Sequence, residues 1–222
     1  AGTKMMVADS RLVPEMAALD PTLMTGLPPA VTAATGMDAL THAIEAYISQ
    51  WASDTTDRWA LAAVGMIWEH LRRAWSDGAD LTSRERMALA STYAGLAFTR
   101  ANVGNVHAIA HQLGGRYHVP HGLANAIMLP PVLRFSLPDA APRLARLARH
   151  VGIAGRGDTV LARRFVDAVQ ALGDALQIPR TLEALREEDL DALATAACHE
   201  ADFNYPVPRR MTPADCVALL RQ

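Results

Sequence analysis

The chain has 222 residues, half of them apolar, with 21 basic and 23 acidic residues interspersed to a formal net charge of −2. That length suffices to bury a core, but the even charge excludes the basic stripe of a nucleic-acid binder. No apolar run is long enough to span a bilayer, and the N-terminus lacks the sustained apolar stretch of a signal peptide.

In chain order, the run KMMVA near the start is the single candidate strand, and Pro14, Pro21, Pro28 and Pro29 keep the following stretch irregular. Apolar periodicity then predicts a helix over about residues 31–49. Asp54 or Thr55 is placed to cap a second helix that ends near Asp77-Gly78, burying Leu61, Val64, Ile67, Trp68, Leu71 and Trp75. Ser83 is placed to cap a third, which carries Met87, Leu89, Ala90, Ala94 and Leu96 inward. The next segment either continues it or restarts after Gly104, and Gly114-Gly115 should stop it.

Further helices are expected at 121–136, interrupted by Pro130-Pro131, and at 139–151, 158–176, 187–199 and 213–221. Thr212, Pro213 and Asp215 give the last one a capping hydroxyl, a proline at its first position and an acid in its first turn. The loop at 152–158 is the one candidate linker, and it is short. Strands do not alternate with helices, so no doubly wound sheet is encoded; the expectation is one all-α domain. Two cysteines, Cys198 and Cys216, make neither a disulfide framework nor a CxxC site, which points to a reducing cytoplasm.

Five side chains carry chemistry at telling spacings. Asp38 and His42 lie one helical turn apart in TGMDALTHAIEAY, and His107 and His111 repeat that interval in VHAIAHQLGG. His121 follows in VPHG, at a helix start that disfavours the imidazolium and keeps the ring able to coordinate. A carboxylate with several imidazoles suits Fe²⁺ or Zn²⁺. Asp38 sits in an apolar stripe, where burial is costly unless it is paired or bound to a cation; otherwise it must face solvent. One histidine among Val103, Val106, Ile109 and Leu113 would be an ordinary core residue, but two can reach one point. Glu45 reads as a surface residue or as an orienting partner for His42, the surface reading being the safer. His70, His118, His150 and His199 read as surface or packing residues. Spacing alone leaves five candidates.

The blocks LDPTLMTGLPPAVTAATGMDALTHAIEAYIS and GLAFTRANVGNVHAIAHQLGGRYHVPHGLANAIMLPPVLRF, at 19–49 and 95–135, resemble the C-terminal half of an iron-containing (group III) alcohol dehydrogenase. The resemblance implies the multi-helix fold of the iron-containing alcohol dehydrogenase and dehydroquinate synthase type. It carries the ligand set onto Asp38, His42, His107 and His121. It makes His111 a catalytic residue facing substrate and nicotinamide, not a ligand. The implied activity is reversible hydride transfer between a small alcohol, or its aldehyde, and NAD or NADP, at Fe²⁺ or Zn²⁺, in a homo-oligomer that needs neither membrane nor nucleic acid. Alternatives are a glycerol-dehydrogenase-like or maleylacetate-reductase-like enzyme, the latter hinted at by Gly114-Gly115, or a helical domain serving only metal binding or assembly.

The glycine-rich phosphate loop of that family's N-terminal nucleotide-binding domain has no counterpart here, since Gly155-Arg156-Gly157 follows no strand. The expectation is therefore a truncated chain or separated domain, with residues 1–18 left from a preceding domain and 19–222 forming the helical metal-binding domain.

Overall fold

A computed structural model describes residues 9–222, and the KMMVA run lies outside them. Short 3₁₀ turns at Ser10–Leu12 and Pro21–Met24 lead into eight α-helices among the described residues. These are α1 (Pro29–Ile48), α2 (Asp54–Ser76), α3 (Leu81–Ala101), α4 (Asn105–Tyr117), α5 (His121–His150), α6 (Asp158–Ala175), α7 (Leu190–Asn204) and α8 (Pro213–Leu220). No strand occurs among the described residues, as the sequence periodicity requires, and no helix is long and apolar enough to cross a membrane.

Helix α1 is the axis of the bundle. Pro29 starts it, at the position where a missing N–H removes no hydrogen bond. Its Met37, Leu40, Ile44 and Tyr47 are wholly buried, packed among α2, α3 and α5. Helices α2 and α3 pair along their lengths, as do α5 and α6, while α4 lies between α5 and α7, and α8 packs on α7. Arg143 of α5 ties three helices together. Its Nε donates to the Tyr47 carbonyl at 2.9 Å and its Nη1 to Asp57 Oδ2 at 2.8 Å, while the guanidinium lies over the Tyr47 ring.

Several boundaries differ from the sequence reading. Ser53, not Asp54 or Thr55, caps α2, in a reciprocal box with Thr56. Asp80 caps α3 by accepting from the Ser83 N–H at 3.0 Å, so Ser83 is the residue capped. Leu96 faces outward at 42 % exposure, because α3 packs through its alanines instead. Gly114 and Gly115 stay helical, and α4 ends at His118, which takes the left-handed conformation (φ 56°) ahead of Pro120.

The largest departure is α5, one helix through Pro130, Pro131, Pro138 and Pro142. Each proline removes a main-chain donor, but residues 124–133 are buried throughout, and that packing outweighs local propensity. Helix α7 starts after a 3₁₀ turn at Glu187–Asp189 and runs past residue 199 to Asn204, since the next breaker is Pro206.

Candidate metal centre

Three helices deliver the expected residues to one point. Asp38 and His42 share a face of α1, His107 comes from the first turn of α4, and His121 is the first residue of α5. One ligand atom from each of these four lies within 4.8 Å of the others. Asp38 Oδ1 is 3.6 Å from His121 Nε2 and 4.0 Å from His107 Nε2. A tetrahedral ion with bonds of about 2.0–2.2 Å needs neighbouring donors about 3.4 Å apart. His111, the fifth candidate, stands beside the cluster. Its ring stacks on that of His121 at 5.3 Å, and its Nδ1 donates to Glu200 Oε1 at 2.6 Å.

Close backbone approach makes the convergence possible. A Cβ on Gly122 would stand 2.6 Å from the Ala34 carbonyl oxygen and 3.3 Å from Asp38 Cβ. Only glycine lets the start of α5 sit against α1 so that His121 meets Asp38. Gly122→Ala should therefore push the two helices apart, costing roughly 1–3 kcal/mol of stability and more than tenfold in metal affinity. Urea unfolding together with metal titration checks this, and unchanged affinity would show that the approach is unnecessary.

Glu45 corrects the surface reading. It is only 4 % exposed and accepts from the Gly104 N–H at 2.8 Å, the Val106 N–H at 2.7 Å and His107 Nδ1 at 2.6 Å. It thus orients His107, not His42. Burial pushes its carboxyl up to about 7, against the pull of those donors. With Nδ1 bonded to Glu45, His107 turns its Nε2 into the cluster, 4.0 Å from Asp38 Oδ1.

His42 Nε2 lies 2.9 Å from His107 Nε2, and burial, with His107 beside it, pulls the His42 ring down to about 4. The Asn125 amide nitrogen lies 2.6 Å from Asp38 Oδ1, 3.0 Å from His107 Nε2 and 3.1 Å from His121 Nε2. Asn125 Oδ1 is itself buried without a partner. An acceptor-rich cluster of this kind fits a cation.

A cavity of about 480 Å³ opens beside the cluster, walled by Phe98, Val103 and Tyr205 as well as His42, His111 and His121. Phe98 stacks on the His42 ring at 4.4 Å and supplies an apolar wall. Sequence reasoning missed Asn125, Glu200 and Tyr205. Asn125 lies one turn after His121, a visible spacing, whereas nothing local marks the other two. Among the remaining histidines, His70 is buried against Ser83, and His150 Nε2 meets the Leu61 carbonyl, so these two pack as expected. His118 is the exposed cap of α4, and the His199 ring lies on Phe203.

The C-terminal model of the Fe-containing alcohol dehydrogenase family matches residues 32–222. The chain belongs to that family. It is 42 % identical over 223 aligned residues to alcohol dehydrogenase 4 of Saccharomyces cerevisiae, covering 99 % of this chain and 57 % of that protein. The same identity and coverages hold for the 1,3-propanediol dehydrogenase of Klebsiella pneumoniae. A crystal structure of 1,3-propanediol oxidoreductase superposes with a TM-score of 0.88 at 43 % identity, covering 91 % of this chain and 54 % of the other. The chain therefore spans a little over half the length of these relatives. The helical fold of the family's C-terminal part, without strands among the described residues, and membership in an enzyme family of alcohol-dehydrogenase type both stand.

Proposed function

We propose that this chain carries the metal and substrate side of an alcohol dehydrogenase that exchanges hydride between a small alcohol and NAD⁺ or NADP⁺. Asp38, His42, His107 and His121 hold one divalent cation, Fe²⁺ or Zn²⁺, and His111 faces the alcohol and the nicotinamide. The observation that carries this reading is the convergence of three imidazole nitrogens and one carboxylate oxygen within 4.8 Å. A bound cation there supplies Lewis-acid polarisation of the substrate oxygen.

The chain's own residues do the rest. Glu45 fixes the ring and tautomer of His107. Phe98 and Val103 present an apolar wall to the alcohol's carbon chain and exclude water from the reacting carbon. His111, with its proton on the Nδ1 that Glu200 holds, offers Nε2 to take the hydroxyl proton. The hydride acceptor is a nicotinamide held by a nucleotide-binding portion in the part of the family's length this chain does not span, with residues 19–222 as the helical unit that faces it. The compact cavity and the propanediol-acting relatives favour short primary alcohols or diols. A cytoplasmic setting accords with two buried free thiols.

Elemental analysis after anaerobic loading with Fe²⁺, and in parallel with Zn²⁺, tests the centre. About one tightly held ion per folded chain is expected. No retained ion in a folded chain would overturn the ligand assignment.

A further inference from the structure

Glu200, on α7, is separated by 89 residues from His111 on α4, yet the fold brings three donors onto its carboxylate. His111 Nδ1 and the Tyr205 hydroxyl both donate to Oε1 at 2.6 Å, and Gln112 Nε2 donates to Oε2 at 2.7 Å. Both oxygens are engaged, so the carboxylate has one orientation. Burial resists its ionisation, but the bonds from His111 and Tyr205 outweigh that and hold it below the usual carboxylate range. Burial and the neighbouring Glu200 push the Tyr205 phenol far up, which makes Tyr205 a permanent donor.

His111 and Glu200 also line two cavities at once. One is the 480 Å³ cavity beside the candidate metal ligands; the other, of about 650 Å³, lies against α7 and is bordered by Gln112, Asp191, Thr195 and His199. The hydrogen-bonded pair is thus the partition between a substrate-side space and an outward-facing one.

We propose that Glu200 is a positioning residue for the dehydrogenase reaction. It fixes His111 as the Nδ1–H tautomer with Nε2 turned toward the alcohol, and its negative charge stabilises the imidazolium formed when His111 accepts the hydroxyl proton. Tyr205 and Gln112 hold Glu200 in that pose. The proposal rests on the reading of His111 given above. In the oxidation direction the alcohol loses one hydride to the nicotinamide and one proton to His111 Nε2. Glu200 itself stays ionised, as the carboxylate of a hydrogen-bonded triad does.

The test uses the full-length enzyme, metal-loaded. Glu200→Gln keeps the shape and removes the charge. Its kcat for alcohol oxidation should fall about 10- to 100-fold, with the alcohol KM, the metal content and the melting temperature little changed. Glu200→Ala leaves a gap that opens on the outward cavity, so added acetate or formate should restore kcat several-fold. The same acids should do nothing for the wild type or for a Glu200→Ala/His111→Ala double variant. Normal kcat in Glu200→Gln, alongside a slow His111→Ala, would overturn the role of Glu200 and spare that of His111. Normal kcat in His111→Ala would instead overturn the reading on which it rests. A fall in kcat that simply follows lost thermal stability, with no rescue by acetate, would make Glu200 a structural residue.

Discussion

His121→Ala is expected to strip the protein of its tightly held cation and to reduce alcohol oxidation to background, with little loss of fold. The ring sits at the first position of α5, nearly a third exposed, and its bond to the Asn125 amide is shared with other acceptors. Removing it deletes one of four donors without opening a core cavity. Loss of a ligand typically costs far more than the tenfold to hundredfold associated with an orienting partner. His107→Ala should lose the metal equally but also destabilise the chain. Glu45 would then lie buried with one of its three donors gone, at a cost of roughly 1–3 kcal/mol. The pair of variants therefore separates ligation from folding. Isothermal titration with Zn²⁺ and chemical unfolding of both proteins provide the measurement. Wild-type metal affinity in either variant would remove that residue from the ligand set.

The sequence shows the parts of this centre that repeat at helical spacing. Asp38 with His42, and His107 with His111, are legible because residues four apart on a helix share a face. His121 is legible through the proline before it and the glycine after it. What the spacing cannot separate is ligand from neighbour. His111 has the same interval from His107 as His42 has from Asp38, and only the bond from its Nδ1 to Glu200 shows where its ring is committed. Glu200 itself is out of reach, since contact between α4 and α7 depends on the whole intervening fold. Glu45 is visible in the sequence, but its burial is not. Its burial is stabilised by the main-chain N–H groups of Gly104 and Val106, and main-chain donors leave no mark in side-chain patterns. A Cβ on Gly104 would stand 2.8 Å from Glu45 Oε1, so the glycine after α3 makes room for the carboxylate. The same principle explains α5, where a break expected from two adjacent prolines is overridden by burial on every side.

His111→Ala is expected to do the reverse of His121→Ala: keep the cation and lose the chemistry. The ring lies outside the four converging donors, and its own Nδ1 proton is spent on Glu200. Without it Glu200 still accepts from Tyr205 and Gln112, so the carboxylate is not left bare and the cost in stability should stay near 1 kcal/mol. If His111 takes the hydroxyl proton, its removal should lower kcat by about 10²- to 10⁴-fold. The metal content should stay at about one ion per chain. A KM for the alcohol that rises while kcat holds would point to a binding wall rather than a proton acceptor. Loss of the cation in this variant would return His111 to the ligand set and make Glu200 the carboxylate behind a metal-bound imidazole, the place proposed for Glu45. The two carboxylate–histidine pairs, Glu45 with His107 and Glu200 with His111, have the same 2.6 Å bond geometry. What distinguishes them is that His107 belongs to the four converging residues while His111 stands beside them. Metal content measured in the same preparation as kcat reads that difference directly.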